Sequence, residues 1–251
     1  MRNLKVTLAY DGSDFHGWQV QPGLPTVQGL LADAIFRITA EQVLPQGSGR
    51  TDAGVHALAQ VATFALASSI PAANLAKALN DLLPPAIRVT DVELMPDDFH
   101  ARKSAQAKSY RYRIFRRDIC PPFLSRYVYH HPFPLDEDAM IATAPLIVGE
   151  HDFTSFAAVD PEKNLPDGEA ASNVRTIFSS EWRREGEELL YSVRGNGFLH
   201  HMVRNLVGTF LLVGKETLSS RDVTRILEAR DRSAAGATAP ASGLYLVNVE
   251  Y

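Results

Sequence analysis

The sequence holds a single cysteine, Cys120, among its 251 residues. One thiol excludes an internal disulfide and any zinc site built from several cysteines. No apolar run is long enough to cross a bilayer, and the first residues lack the apolar core of a signal peptide. We therefore expect a protein of the reducing cytoplasm that does not associate with membranes.

Metal-binding motifs are also missing. The eight histidines form neither His-Glu-x-x-His nor His-x-Glu followed by Cys-x-x-Cys. The adjacent pairs, His130 with His131 and His200 with His201, are expected to project in different directions and to chelate one ion poorly. No Gly-Lys-Ser/Thr follows the glycine-rich loop at 47–54, which excludes a nucleotide-triphosphatase phosphate loop. We expect no catalytic metal.

An overall excess of positive charge is absent too, since the net charge is −4. The window 100–127 nevertheless nets +7, because it holds eight basic residues and one acid, so the rest of the chain nets −11. Such asymmetry is typical of a polyanion-binding face on an acidic body. Solvated charges on a strand and a loop explain it equally well.

Hydrophobic periodicity predicts alternating strands and helices. The predicted strands lie at 4–10, 59–66, 87–94, 108–115, 177–184, 189–194 and 244–251. The predicted helices lie at 27–38 after an N-cap at Thr26, and at 71–82, 136–147, 200–213 and 219–229. Prolines, a glycine and charges at 160–172 predict a surface loop.

This order predicts an α+β fold with two similar halves, residues 1–105 and 106–251. In each half, helices would cover one face of a mostly antiparallel sheet. A sheet continuous across both halves would leave a central cleft, the usual place for a site. The N-terminal half would carry the loop of Asp52, and the C-terminal half would complete the cleft.

Asp52 lies in the segment Gly49-Arg50-Thr51-Asp52-Ala53-Gly54. Glycines let a backbone approach a ligand closely, and a carboxylate beside a fixed cation stays ionised at neutral pH. That suits a nucleophile or a base. For a lone loop aspartate, however, capping a turn is the more common role.

Two further segments carry candidate residues. Aromatic and basic residues alternate along a predicted strand, with Tyr110 and Tyr112 on one face, a pattern that suits RNA but also a pair of core tyrosines. Arg204 lies among apolar residues of a predicted helix, where an unpaired guanidinium is costly. It is therefore expected to have an anionic partner, either in an active site or in the structural core.

Seven segments, taken together and in this order, closely resemble the tRNA pseudouridine synthase A (TruA) family. They span the chain from the first predicted strand to the last, which makes the resemblance specific. The segments are 10–19 (YDGSDFHGWQ), 49–57 (GRTDAGVHA), 99–102 (FHAR), 108–112 (KSYRY), 151–153 (HDF), 198–205 (FLHHMVRN) and 239–244 (APASGL).

The resemblance implies two ferredoxin-like halves about a pseudo-two-fold axis and a cofactor-free homodimer. The implied reaction isomerises uridine to pseudouridine at positions 38, 39 and 40, in the anticodon stem-loop of tRNAs. Asp52 matches the nucleophile, Tyr110 the tyrosine that packs on the target base, and Arg204 the basic residue that pairs with the aspartate. Arg50 matches an arginine that helps to extrude the uridine, and Leu244 an apolar residue that lines the uracil pocket.

From the basic segment we add Arg102, Lys108 and Arg111 as expected substrate-binding residues. Two features depart from the family: Ala157 stands where several relatives have arginine, and the loop at 160–172 is longer and more acidic. The competing interpretation is a non-catalytic RNA-binding module, which leaves the segment around Asp52 unexplained. A metal-dependent hydrolase lacks the required ligand spacing.

Overall fold

The computed structural model describes residues 1–158 and 172–251, so that all of the predicted 160–172 loop except Ser172 lies outside the described residues. The strands are β1 (Arg2–Tyr10), β2 (Gln46–Gly47), β3 (His56–Leu66), β4 (Ile87–Met95), β5 (Ala107–Phe115), β6 (Tyr129–His130), β7 (Gly149–Asp152), β8 (Val174–Glu185), β9 (Glu188–Gly195) and β10 (Leu244–Glu250). The α-helices are α1 (Val27–Thr39), α2 (Ala72–Leu82), α3 (Glu137–Thr143), α4 (Met202–Gly214) and α5 (Ser220–Ala229). Short 3₁₀ helices occupy Ala144–Ile147, Thr154–Phe156, Arg232–Ala234 and Ala241–Gly243.

The chain divides into two compact units, Met1–Lys108 with Tyr245–Tyr251, and Ser109–Leu244. The sequence-based division at 105/106 assigned the last strand to the C-terminal half. In the structure β10 instead pairs in parallel with β3, with Tyr245 opposite His56, and therefore belongs to the first unit. Sequence order could not show this, because the partner of a strand is decided by tertiary pairing.

In the first unit β1 is antiparallel to both β3 and β4. Alternate residues of β1 are buried, which is the pattern of a strand with one face on the core. The helices α1 and α2 contribute the fully buried side chains of Leu31, Ile35, Leu75 and Leu79. As predicted, Thr26 caps α1, because its Oγ1 accepts a hydrogen bond from the Gly29 amide at 3.3 Å.

In the second unit the strands follow the order β5-β9-β8-β7, with β6 parallel to β5 at its end. The predicted hairpin forms from β8 and β9, and its turn contains Gly186 at φ +56°. Trp182, Tyr191 and Phe210 form an aromatic core, with the rings of Tyr191 and Phe210 5.4 Å apart. Nearly all of α4 is buried.

Two predicted helices have different bounds in the structure. The helix expected at 136–147 ends at Thr143 and continues as a 3₁₀ turn that contains Pro145. Proline lacks the amide proton that an α-helix requires and clashes with the preceding turn. The helix expected from His200 begins at Met202, since His201 has a left-handed backbone at φ +58°.

The α+β class and the mostly antiparallel pairing are confirmed. No helix in the described part of the chain combines the length and the apolar character that a membrane span requires.

Candidate active site

The loop of Asp52 connects β2 to β3, and its first residues are tied to β3. The amide of Ser48 donates to the Val61 carbonyl at 2.7 Å. The Ser48 hydroxyl donates to Oε1 of Gln60 at 2.7 Å, and Nε2 of Gln60 donates to the Gly49 carbonyl at 2.9 Å. Ser48 and Gln60 are both fully buried, so the bond between their side chains forms away from water.

The second part of the loop is tied to residues 10–18. The hydroxyls of Thr51 and Tyr10 share a buried hydrogen bond of 2.8 Å, and the Thr51 carbonyl accepts from the Trp18 amide at 3.0 Å. After Asp52, the Gly54 amide donates to the Phe15 carbonyl at 3.3 Å. Bonds on both sides therefore hold the backbone that carries Asp52.

Glycines allow this close approach. A Cβ on Gly12 would lie 1.9 Å from the carbonyl oxygen of Val55, and one on Gly17 would lie 2.5 Å from that of Thr51. Gly17 also has φ +83°, which disfavours other residues. The amide of Gly12 donates to Nδ1 of the buried His56 at 3.1 Å. The segments 10–19 and 49–57 thus form one packed unit.

The side chains on this loop differ in exposure. Asp52 is half-buried, and Arg50 is exposed. A half-buried carboxylate keeps part of its surface open to a substrate, while its backbone is fixed.

Lys108, predicted to bind substrate, is half-buried, and its Nζ donates to the Ser48 carbonyl. Arg102, another predicted substrate contact in this unit, is exposed.

In the second unit, Tyr110 and Tyr112 lie on the same buried face of β5, as alternation predicts, and Arg111 is exposed. The Tyr110 ring packs edge-on against Phe198, with centroids 4.9 Å apart. The Tyr112 hydroxyl donates to the Pro240 carbonyl at 2.8 Å. The core interpretation therefore holds for Tyr112, whose ring is fully buried.

Arg204 lies on α4, against the segment 235–239. Its Nε donates to the Ala239 carbonyl at 2.7 Å, and the Ala239 amide donates back to the Arg204 carbonyl at 3.1 Å. This pair of bonds orients the guanidinium. The next residue, Asn205, is fully buried and donates to the Phe156 carbonyl at 2.7 Å.

Leu244 follows the 3₁₀ turn Ala241–Gly243 and is 5% exposed. A Cβ on Gly243 would lie 2.7 Å from the Tyr112 ring, so glycine is required for this contact. The position of Leu244 in the second unit is therefore coupled to the buried tyrosine of β5.

The basic window 100–127 is less available to a polyanion than its sequence charge predicts. Three of its arginines form ion pairs with glutamates of the same unit. The pairs are Arg113 with Glu188 at 2.7 Å, Arg116 with Glu137 at 3.0 Å and Arg117 with Glu187 at 2.7 Å. Arg102, Lys103 and Arg111 remain exposed and are the cations best placed to contact phosphates.

The expectation that adjacent histidines project apart is wrong for His200 and His201. Their rings lie 4.0 Å apart with an interplanar angle of 35°. The left-handed backbone at His201 turns its side chain back toward its neighbour.

The loop anchors Tyr10, Thr51 and Gln60 were not identified from the sequence. One signal was available for Gln60, which is a lone amide in the otherwise apolar run of β3 around Val61. A buried amide of this kind must find hydrogen-bond partners, so it indicates an irregular segment nearby.

Comparison with known proteins identifies the family of the sequence. The family described as tRNA pseudouridine synthase matches residues 7–102 and 144–251. Over the full length of both chains, the protein is 53% identical to tRNA pseudouridine synthase A of Solibacter usitatus (strain Ellin6076) and 42% identical to that of Caldicellulosiruptor bescii (strain ATCC BAA-1888 / DSM 6725 / KCTC 15123 / Z-1320). The corresponding protein of Brevibacillus brevis (strain 47 / JCM 6285 / NBRC 100599) is 45% identical, again over both full lengths.

A solved structure, "Crystal Structure of a Cbf5-Nop10-Gar1 Complex", matches 97% of this chain and 48% of that chain at 14% identity and a TM-score of 0.40, a likeness too weak to support an argument. The sequence matches carry the assignment, because they extend over the whole chain and include the segments that form the Asp52 loop. The chain belongs to the tRNA pseudouridine synthase family.

Proposed function

We propose that this pseudouridine synthase acts on tRNA at positions 38, 39 and 40 of the anticodon stem-loop, with Asp52 as its nucleophile and without a cofactor. Arg50 would help to extrude the uridine, Tyr110 would pack on the base, Arg204 would support the reacting carboxylate, and Leu244 would contact the uracil. Membership of an isomerase family disfavours the alternative of a non-catalytic RNA-binding module.

The observation that carries this proposal is the rigid loop around Asp52. A nucleophile must be held in one geometry, since reaction rates depend on pre-organised positions. Asp52 stays half-buried while the carbonyls of Gly49 and Thr51, on either side of Arg50, are bound to Gln60 and Trp18. A turn-capping aspartate needs no such set of buried anchors.

The chemistry balances within the substrate. The target uridine leaves the stack, at a cost of about a few kcal/mol. Asp52 bonds to the nucleoside or abstracts a ribose proton, the C1′–N1 bond breaks, and the retained uracil turns. C5 then bonds to C1′, and Asp52 is restored because its bond to the nucleoside breaks or the proton returns to the ribose. C5 loses a proton and N1 gains one. One carbon–nitrogen bond is exchanged for one carbon–carbon bond, so the reaction consumes no oxidant, reductant or water.

Substrate binding is proposed to depend on phosphate contacts by Arg102 and Arg111, whose side chains are exposed. Because such contacts release counterions, affinity is expected to fall steeply with salt. We also propose that the protein works in the cytoplasm as a homodimer. Size-exclusion chromatography with light scattering measures the molar mass and so tests the dimer. The mass of a monomer at micromolar concentration would contradict it.

Asp52→Asn tests the nucleophile. The amide is nearly isosteric but is a poor nucleophile, so release of tritium from 5-tritiated uridine in tRNA should be abolished while tRNA binding stays nearly unchanged. The matched control is Asp33→Asn, at an exposed position of α1 in the same unit. Tritium release by the Asp52 variant at the control's rate would show that another group attacks.

Tyr110→Phe tests whether the hydroxyl takes the C5 proton. General-base catalysis contributes about 10²- to 10⁴-fold, so a rate loss in that range is expected if the hydroxyl acts as base. The ring, and with it the contact to Phe198, is retained in this variant. A near-normal rate of tritium release would reduce Tyr110 to a packing surface for the base.

A further inference from the structure

Lys108 is the second residue of β5 and the last residue of the first unit's main segment. Its ammonium donates a hydrogen bond to the Ser48 carbonyl. A Cβ on Gly49 would lie 3.2 Å from the same nitrogen. The cation thus lies against the backbone of residues 48 and 49, which immediately precede Arg50, Thr51 and Asp52.

The neighbouring carbonyl has its own side-chain donor. Gln60 binds the Gly49 carbonyl at 2.9 Å and, through Oε1, the Ser48 hydroxyl at 2.7 Å. Two consecutive carbonyls of the loop are therefore bound by side chains from β3 and β5. Hydrogen bonds to a charged donor are about twice as strong as neutral ones, so Lys108 supplies the stronger of the two anchors.

A phosphate contact and a loop anchor place different demands on a cation. A phosphate contact needs a cation that is exposed before RNA binds, as Arg102 and Arg111 are. Lys108 is half-buried and already uses its ammonium on a backbone oxygen. Moving it to a phosphate would take this donor away from the Ser48 carbonyl, which is unfavourable for the loop.

We propose that Lys108 is a positioning residue for Asp52, acting through the Ser48 carbonyl, and not a phosphate ligand. The inference rests on the proposed role of Asp52. By holding the first turn of the loop, Lys108 fixes where the carboxylate stands relative to β3. Its contribution is therefore made in the chemical step and not in the binding of tRNA.

The test separates these two steps. Lys108→Met keeps most of the aliphatic stem and removes the ammonium, and the matched control Lys77→Met makes the same change at an exposed position of α2. Single-turnover rates at saturating tRNA are measured together with Kd at several salt concentrations. We expect the Lys108 variant to lose roughly 10- to 100-fold in rate, as small misplacements of reacting groups do, with wild-type Kd and salt dependence. The control should match the wild type in both.

Arg102→Gln provides the opposite pattern. As a phosphate contact it should weaken binding and lower the slope of log K against log salt by about 0.7 to 0.9. If Lys108→Met shows this pattern, with a wild-type rate at saturation, the proposal is overturned. Lys108→Arg keeps a charged donor and serves as a control for misfolding. This variant should bind tRNA normally and should have a higher single-turnover rate than Lys108→Met. A loss of binding with no loss of rate would also overturn the proposal.

Amide hydrogen exchange distinguishes failure of this inference from failure of the proposed function. Without Lys108 the amides of residues 49–55 should exchange faster, while those of α1 should not. This readout needs no turnover. If Asp52→Asn proves active, the nucleophile assignment fails, whereas unchanged exchange in the Lys108 variant shows that Lys108 does not hold the loop.

Discussion

The Asp52 loop of the first unit and the segment 235–239 of the second both lack regular secondary structure and are hydrogen-bonded to neighbouring strands or helices. The Asp52 loop is held by Tyr10, Gln60 and Lys108, which come from three different strands. The segment 235–239 is held by one helix, α4, chiefly through Arg204 and its neighbours.

The anchors on α4 occupy successive turns. Asn205 accepts from the Thr238 hydroxyl at 2.7 Å, and Thr209 accepts from the Gly236 amide at 3.0 Å. Residues four apart on a helix share a face, so one helix supplies a continuous row of partners. The anchors of the Asp52 loop lie instead on three different strands, so the tertiary structure must bring them together. The segment 235–239 therefore depends chiefly on one helix, whereas the Asp52 loop depends on three strands.

The largest effect is expected from glycine substitutions at the two close approaches. Gly12→Ala would place a Cβ 1.9 Å from the Val55 carbonyl oxygen, and Gly208→Ala would place one 1.7 Å from that of Ala237. Overpacking of this kind costs about 1–3 kcal/mol or more. Urea unfolding should show lower midpoints for both variants. Gly197→Ala is the control, because its Cβ would meet only the Arg175 side chain at 3.5 Å. A wild-type midpoint for either variant would mean that its segment can shift to make room for the added methyl group. The two segments would then not be equally tightly packed.

A smaller effect is expected when one tyrosine hydroxyl is removed from the Asp52 loop, or from Pro240, the residue that follows the segment 235–239. Burial raises the pKa of Tyr10 to about 12 and also raises the pKa of Tyr112, so both hydroxyls are protonated at neutral pH. Tyr10→Phe and Tyr112→Phe each remove a hydrogen bond worth about 1 kcal/mol, to Thr51 and to Pro240 respectively. Both should lower the free energy of unfolding similarly. Turnover should fall more for Tyr10→Phe, since Thr51 adjoins Asp52. Equal turnover losses would show that the two segments contribute alike to catalysis.

Much of the fold was predictable because local patterns encode it. Alternating burial in β1, the cap at Thr26 and the glycine turn of the β8–β9 hairpin all follow from nearest neighbours in sequence. The two wrongly predicted helix bounds also have local causes. Pro145 lies inside the helix predicted at 136–147, and His201, at the start of the helix predicted at 200–213, has a left-handed backbone conformation. Proline was visible in the sequence, whereas the backbone conformation of a histidine was not.

The site was predictable only in part. Asp52, Tyr110 and Arg204 were named from motifs, and their roles stay proposals. The ion pairs of Arg113, Arg116 and Arg117 were invisible in a charge count, because their glutamates lie elsewhere in the sequence. Fewer cations of the window 100–127 are consequently available to a polyanion in the folded protein than its sequence charge indicates.

By itself the sequence determined the α+β class, the order of helices and strands, and the family, since these depend on local periodicity and on ordered motifs. Tertiary structure alone decided that β10 joins the first unit and that Gln60 and Lys108 bind consecutive carbonyls before Asp52. Lys108 is 60 residues from Ser48 in sequence. Hydrogen bonds over such separations arise only when folding brings distant elements together, and no local pattern specifies which distant residue will be the partner.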